Sequence, residues 1–185
     1  MLRRCLVAFG LSLAAVGCGS SSSSLPDGLE SEEGQAKFQQ EFVVAHNNIR
    51  VRAQPEPSPA LTPMVRSLDA ANLAQEWANG CVFDHRPNNA MGENIALFSP
   101  RPDGESIGAD EVVNLWASEA ADYDYERNTC AAGAQCGHYT QVVWRNTSSV
   151  GCGVAVCDNV DGFGPGTLFV CNYDGPGNVV GEWPY

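Results

Sequence analysis

The chain has 185 residues, with 22 acidic and 10 basic side chains and a formal net charge of −12. A pI near 4.4 and a single lysine, Lys37, exclude a nucleic-acid partner, because phosphate binding rests on clustered Lys and Arg that release counterions. A chain this long can bury a core without crosslinks, so its eight cysteines speak to a compartment more than to a folding need.

Residues 1–18, MLRRCLVAFGLSLAAVGC, set Arg3 and Arg4 ahead of an apolar run from Leu6 to Val16 that ends in small residues at Cys18. This is the pattern of a secretory signal, and the run is shorter than the roughly 18 residues of a spanning helix. Ala15-Val16-Gly17-Cys18 resembles a bacterial lipobox, with Ala where Leu is commonest. Residues 1–17 therefore read as a lipoprotein signal peptide and Cys18 as the lipidation site. The expected location is the bacterial cell envelope, at its outer membrane, or the extracellular side, with the membrane touched only through the N-terminal lipid. Residues 18–34 carry the serine run Ser20 to Ser24, Pro26, Gly28 and an acidic stretch from Glu30 to Glu33, too polar to bury a core. They read as a disordered tether, and residues 35–185 as the folded domain. Loss of Arg3 and Arg4 leaves 8 basic against 22 acidic side chains, a charge of −14 that anionic membranes repel.

Within the domain, Phe38, Phe42, Ala45 and Ile49 recur at spacings of 4, 3 and 4 and predict a helix over 34–50. Four prolines make 54–63 a loop. Ala70, Leu73, Ala74 and Trp77 share one face of a second helix over 67–78, and 80–110 reads as a loop. A third helix carries Val112, Trp116, Glu119 and Tyr123 on one stripe. A carboxylate on a buried stripe is costly without a partner, which makes Glu119 a site candidate. The pattern then shifts to period 2: His138, Thr140, Val142 and Trp144 share one face of a strand over 138–145. Strands over 152–157 and 167–173, joined by the Gly, Asp and Asn of 158–166, form a hairpin. Helices first and strands later predict an α+β domain with an antiparallel sheet.

Setting aside Cys5 and Cys18 leaves Cys81, Cys130, Cys136, Cys152, Cys157 and Cys171, which in an exported domain imply three disulfides. Fifteen pairings are open, with Cys157 and Cys171 candidate partners across the hairpin. No CxxC with histidine spacing suggests a structural zinc. Gly104-Glu105-Ser106-Ile107-Gly108 fits GxSxG, but no buried strand leads into it, and Ser106 is better placed to start the third helix. His46, His85 and His138, with Glu93 and Glu119, remain. Imidazoles and carboxylates together suit zinc or another divalent cation, or proton transfer near neutrality, and periodicity does not choose.

Four ordered segments resemble the CAP superfamily of cysteine-rich secretory, antigen 5 and plant pathogenesis-related class 1 proteins. They are His46-Asn47-Asn48-Ile49-Arg50, Gly92-Glu93-Asn94-Ile95, the run from Gly137 to Trp144, and Leu168 to Tyr173 with Pro176-Gly177-Asn178. Residues 121–147 and 171–185 look most like the plant class. Gly175 departs from the usual proline, and Pro63 stands where an aromatic is expected. The resemblance implies a three-layer α-β-α sandwich with a central antiparallel sheet, and a cleft holding His85, Glu93, Glu119 and His138, with His46 structural. It also implies the pairs Cys81 to Cys152, Cys130 to Cys136 and Cys157 to Cys171, each adding roughly 2 to 4 kcal/mol by restricting the unfolded chain.

Three functions are open on this basis. The first is a non-enzymatic exported module for lipid, sterol or another extracellular partner, with a divalent ion in the cleft. The second is a metal-dependent hydrolase of peptide or lipid ester, with Glu93 or Glu119 as base. The third is a host-contact or signalling protein whose C-terminal peptide, Gly175 to Tyr185, is released after Asp174.

Overall fold

A computed structural model describes residues 22–185, so the signal peptide expected over 1–17 and the lipidation expected at Cys18 lie outside the described residues. Helix α1 (Glu32–Arg50) begins at Ser31, whose side chain accepts the Gly34 N–H, and carries two glutamates in its first turn, where the helix dipole favours negative charge. Helix α2 (Leu68–Ala78) is capped likewise by Ser67. Helix α3 (Ala109–Ser118) has Gly108 at its N-cap and no side-chain cap, so Ser106 does not start it. The GxSxG match is a loop segment. The stripe through Val112 and Trp116 is buried as predicted, but the helix tightens into a 3-10 turn over Glu119–Asp122.

The main sheet is built on the predicted hairpin, β6 (Ser149–Cys157) and β7 (Gly166–Asp174), paired antiparallel. Strand β3 (Gly92–Phe98), inside the segment expected to be a loop, adds antiparallel to β7. Two short strands, β1 (Ser23–Ser24) and β2 (Val65–Arg66), lie along β6, β2 in parallel. A separate small ribbon joins β4 (Tyr123–Asp124) and β5 (Thr129–Cys130). The predicted strand over 138–145 is instead the short helix α4 (Gly137–Val142), whose Tyr139, Val142 and Val143 turn into the core at helical spacing.

The result is the expected three-layer sandwich. On one face of the sheet, α1, α3 and α4 enclose Phe42, Val112, Trp116, Val154, Phe169 and Tyr173. On the other, α2 covers Ile95, Ala155, Leu168 and Val170. Here α2 lies directly on the β6 backbone: a Cβ on Gly151 would meet Ala71 N at 2.2 Å, and one on Gly153 would meet Gln75 N at 2.4 Å. Among the described residues no helix is long and apolar enough to cross a membrane.

From Ser22 onward the segment expected to be a disordered tether belongs to the domain. Ser23 and Ser24 pair with Val156 and Cys157, and Leu29 packs on the core, so the chain is tied to the domain from Ser22 onward.

The disulfides are Cys81–Cys157, Cys130–Cys136 and Cys152–Cys171, which corrects two of the three pairs implied by resemblance. Side chains alternate across a strand, so Cys152 and Cys157, five residues apart, point to opposite faces. Cys152 faces the α1 layer and stands opposite Cys171 in the ladder. Cys157 faces α2, where Cys81 follows the helix, and its ladder neighbour is Gly166.

The His46 to Arg50 segment holds α1 to three other elements. Asn47 exchanges two hydrogen bonds with the backbone of Met64. The buried Arg50 guanidinium donates to the carbonyls of Thr62, Val142 and Trp144, and burial, reinforced by the charge of Arg145, lowers its pKa to about 10. His46 is fully buried. Its Nδ1 lies 2.7 Å from the Phe42 carbonyl, which can only accept, so Nδ1 carries the proton and Nε2 accepts the Tyr173 hydroxyl at 2.8 Å. The C-terminal tail has no regular structure but is fastened down: Trp183 donates to the Tyr125 carbonyl, Tyr185 to the Gln54 carbonyl, and the Tyr125 and Tyr185 rings stack at 4.7 Å.

Two predictions follow from this packing. Gly153→Ala forces α2 off the sheet and should cost about 2 kcal/mol or more, read as a lower urea midpoint. Burial lowers the His46 pKa to about 4; the Phe42 carbonyl opposes this and the Arg50 charge adds to it. The unfolded chain takes up that proton near pH 6.5, so this contribution is complete above 6.5 and is lost as pH falls toward 4, up to ~3 kcal/mol. His85, raised by Glu93, acts in the opposite sense, but it is largely exposed and offsets only part of this. Urea unfolding between pH 7.5 and 4.5 should show the loss, and His46→Gln should be less stable at pH 7.5 yet flatter over the same range.

Candidate functional site

The candidate cleft lies beside β3, at the opposite side of the sheet from β1 and β2. Alternation along β3 sends Glu93 to the α2 face with Ile95, and Asn94 to the other face with Ala96. Each face then supplies one histidine–glutamate pair.

On the α2 face, His85 Nδ1 lies 2.8 Å from Glu93 Oε1. The Glu93 carboxylate also accepts the Arg86 backbone N–H and the Asn89 amide, and Asn89 bridges to Asn172, the ladder neighbour of Glu93. The pair is asymmetric: the Glu93 side chain is 4% exposed and that of His85 64%. The hydrogen bond to Glu93 raises the His85 pKa above its ordinary value against a smaller opposing effect of burial.

On the other face, Glu119 caps the N-terminus of α4, which has no cap of its own. One carboxylate oxygen accepts the backbone N–H groups of His138 and Tyr139, and the other holds His138 Nδ1 at 2.5 Å. Burial alone would raise the Glu119 carboxyl; the His138 ring and the two backbone donors outweigh it and keep it below the ordinary carboxylate range. The Trp116 ring lies parallel to that of His138, 6.1 Å away, and its indole N–H donates to the Ile95 carbonyl.

His85, Glu93 and His138 line one cleft of about 260 Å³ together with Asn94, Gln135 and Asn178, while Glu119 stands behind His138 and outside the lining. His46 does not line it. The site residues that periodicity missed are amides, and Trp116, which it placed on the buried stripe, gained no role at the site from it. Asn94 reaches the His138 carbonyl, and Asn178 bonds Thr140 and the Gly137 carbonyl. Asn94, Asn172 and Asn178 all sit inside the recognised motifs, where a signal for them was present. Gly92 and Gly177 leave room for Gln141, whose side chain lies 2.3 Å and 2.8 Å from where their Cβ atoms would stand. Gly175 adopts φ +65°, which proline cannot reach, so the loop after β7 takes a path of its own.

Each carboxylate accepts from its histidine at Nδ1, which leaves Nε2 of both rings bare when the rings are neutral. Among the described residues no three or more His, Cys, Asp or Glu side chains are placed to share one ion. The four candidates are thus two oriented imidazoles, not a four-ligand cage. Two imidazoles are too few ligands for a buried structural zinc.

The profile of the Cysteine-rich secretory protein family matches residues 43–173. The chain is similar to Pathogenesis-related protein 1B of Nicotiana tabacum, 40% identical over 147 residues and 80% of each chain. Its fold is similar to that of the Schistosoma mansoni venom allergen-like protein 4, with a TM-score of 0.62 and 26% identity over 80% of this chain and 94% of that one. It is similar also to the crystal structure of NaASP2 with Zn2+, at 0.58 and 25% over 88% and 90%. The chain belongs to the cysteine-rich secretory protein family.

Proposed function

We propose that the protein is an exported, non-enzymatic binding module that carries an exchangeable divalent ion in its cleft and takes a lipid, a sterol or an extracellular protein as partner. The observation that carries this reading is the pair of histidines facing one cleft, each held at Nδ1 by a carboxylate. His85 and His138 would hold the ion through Nε2, and Glu93 and Glu119 would keep both rings in the ligating tautomer. Bound there, zinc would supply a positive site for an anionic headgroup or a partner's carboxylate. The NaASP2 structure with Zn2+ supports a zinc-compatible fold of this kind.

The hydrolase reading asks Glu93 or Glu119 to act as general base. Each already accepts three N–H donors, and Glu119 is held below the ordinary carboxylate range, which makes it a weak base. Release of a C-terminal peptide after Asp174 would require the Trp183 and Tyr185 contacts to break as well as the chain.

Calorimetric zinc titration tests the reading. The wild type should bind one ion at pH 8, and the double variant His85→Ala, His138→Ala should lose that binding; unchanged affinity would sink the site. Because Glu93 raises the His85 pKa, protons compete at that ring sooner than at a free histidine, so affinity should begin to fall above pH 6.5 and continue to fall as the solution is made more acid.

A further inference from the structure

We propose that the end of the domain bearing Phe83 and Phe163 is a seat for a zwitterionic phospholipid bilayer, an inference that rests on the lipid attachment expected at Cys18. The two rings are 43% and 76% exposed, and they meet edge to face with centroids 6.5 Å apart. Exposed apolar side chains scattered singly are ordinary, whereas adjoining ones mark a contact surface, and these two rings adjoin. The loops that present them are joined by one bond, from the Phe83 N–H to the Asp161 carboxylate at 2.6 Å, and within the second loop the Phe163 N–H donates to the Val160 carbonyl at 2.8 Å.

The chain enters the domain at this same end. The Ser22 carbonyl accepts the Asp158 N–H at 3.1 Å and lies 3.9 Å from Cys81 Sγ, and the Ser22 hydroxyl bonds the Asp158 carboxylate. Phe83 is two residues from Cys81, and Phe163 two residues from Asp161. Val156, another exposed apolar side chain, belongs to the residue paired with Ser24. Only four residue steps separate Cys18 from Ser22, a reach of at most about 14 Å. An acyl group on Cys18 would therefore hold this end of the domain at the headgroup layer, where aromatic side chains partition well.

Charge identifies the kind of membrane. The mature chain carries −14, so attraction to anionic lipid is excluded and apolar insertion must serve. The acids nearest the rings are occupied internally: Asp84 by the His85 N–H, Asp158 by Ser22, and Asp161 by the Phe83 N–H. His85 of the cleft is two residues from Phe83, so the seat and the cleft share one loop.

The test uses the full chain purified from bacterial membranes and reconstituted in vesicles of phosphatidylcholine and phosphatidylethanolamine, with and without bromine on the acyl chains. Phe163→Trp and, separately, Phe83→Trp add tryptophan emission at the seat, and Val65→Trp adds it at a side chain that is 62% exposed beside Ser149, at the end of β6 opposite Cys157. The emission gained at positions 163 and 83 should be quenched severalfold by brominated lipid, and that gained at 65 should not. Mass spectrometry of the N-terminal peptide reports the anchor independently. An acylated protein whose added emission is equally bright in both lipids overturns the seat alone; an unmodified Cys18 overturns the anchor reading and the seat with it.

Discussion

The hydrogen bond between His46 and Tyr173 joins α1 to the centre of the sheet, and its direction organises the polar groups around it. With Nδ1–H committed to the Phe42 carbonyl, Nε2 can only accept, so Tyr173 must donate. The Tyr173 oxygen is then free to accept from Asn94, and the Asn94 amide also reaches the His138 carbonyl. A neutral ring buried under α1 thus fixes, through two intermediaries, where α4 and its histidine sit. Trp116 fills the space between the two imidazoles, 6.1 Å from each ring centre. Protonating His46 would set two donors against each other at the Tyr173 contact, between two fully buried side chains. Burial pushes the Tyr173 hydroxyl well above its ordinary range, so the tyrosine keeps its proton throughout.

The two carboxylates of the cleft have different structural obligations. Glu119 follows the C-terminus of α3, where the dipole of that helix opposes a negative charge, and is stabilised instead by the N-terminus of α4 and by His138. The group that orients the histidine is also the cap of the helix carrying it, so at this side of the cleft folding and site geometry are one interaction. Glu93 has no such duty. It is held by a loop residue, an amide and a backbone N–H, and its histidine is mostly in solvent. His85 is accordingly the more exposed of the two candidate ligands, and its hydrogen bond to Glu93 raises its pKa above the ordinary value.

What could be read in the sequence divides along the range of the interactions involved. Helices α1 and α2 and the hairpin of β6 and β7 carry their own caps, stripes and turn residues, and all were legible. Helix α4 was not, because its N-terminal donors are satisfied by a carboxylate 19 residues away and its β-branched Thr140, Val142 and Val143 imitate a strand. Strand β3 opens with Gly92, Glu93 and Asn94, polar residues that serve the cleft and hide the alternation that would have announced a strand. Glu119 was legible in kind but not in role: its place on a buried stripe marked it as needing a partner, without saying that the partner was a helix end. The disulfides were legible in principle. The odd spacing between Cys152 and Cys157 separates them to opposite faces once the strand is recognised, and resemblance to relatives overrode that simple parity.

The sheet's two outer strands explain why the cleft lies where it does and why the chain is bound to the domain so early. Along β6, the outward backbone groups are met in succession by the Val65 and Ser67 N–H groups, the Gln39 side chain at Cys152, the Gln75 side chain at Val154, and β1 with Ser22 beyond it. One glutamine comes from α1 and the other from α2, so the two layers clasp the strand from both faces. An edge strand left open invites pairing with another chain, and here residues 22–24 complete its protection. They are part of the sheet, not the end of a leash. β3, at the other side, is covered only in part, by the Trp116 indole at Ile95, and the opening that remains is bordered by the histidines. Any membrane attachment ahead of Ser22 therefore acts on a rigid edge of the domain, and whatever orientation it imposes there is transmitted through the sheet to the cleft.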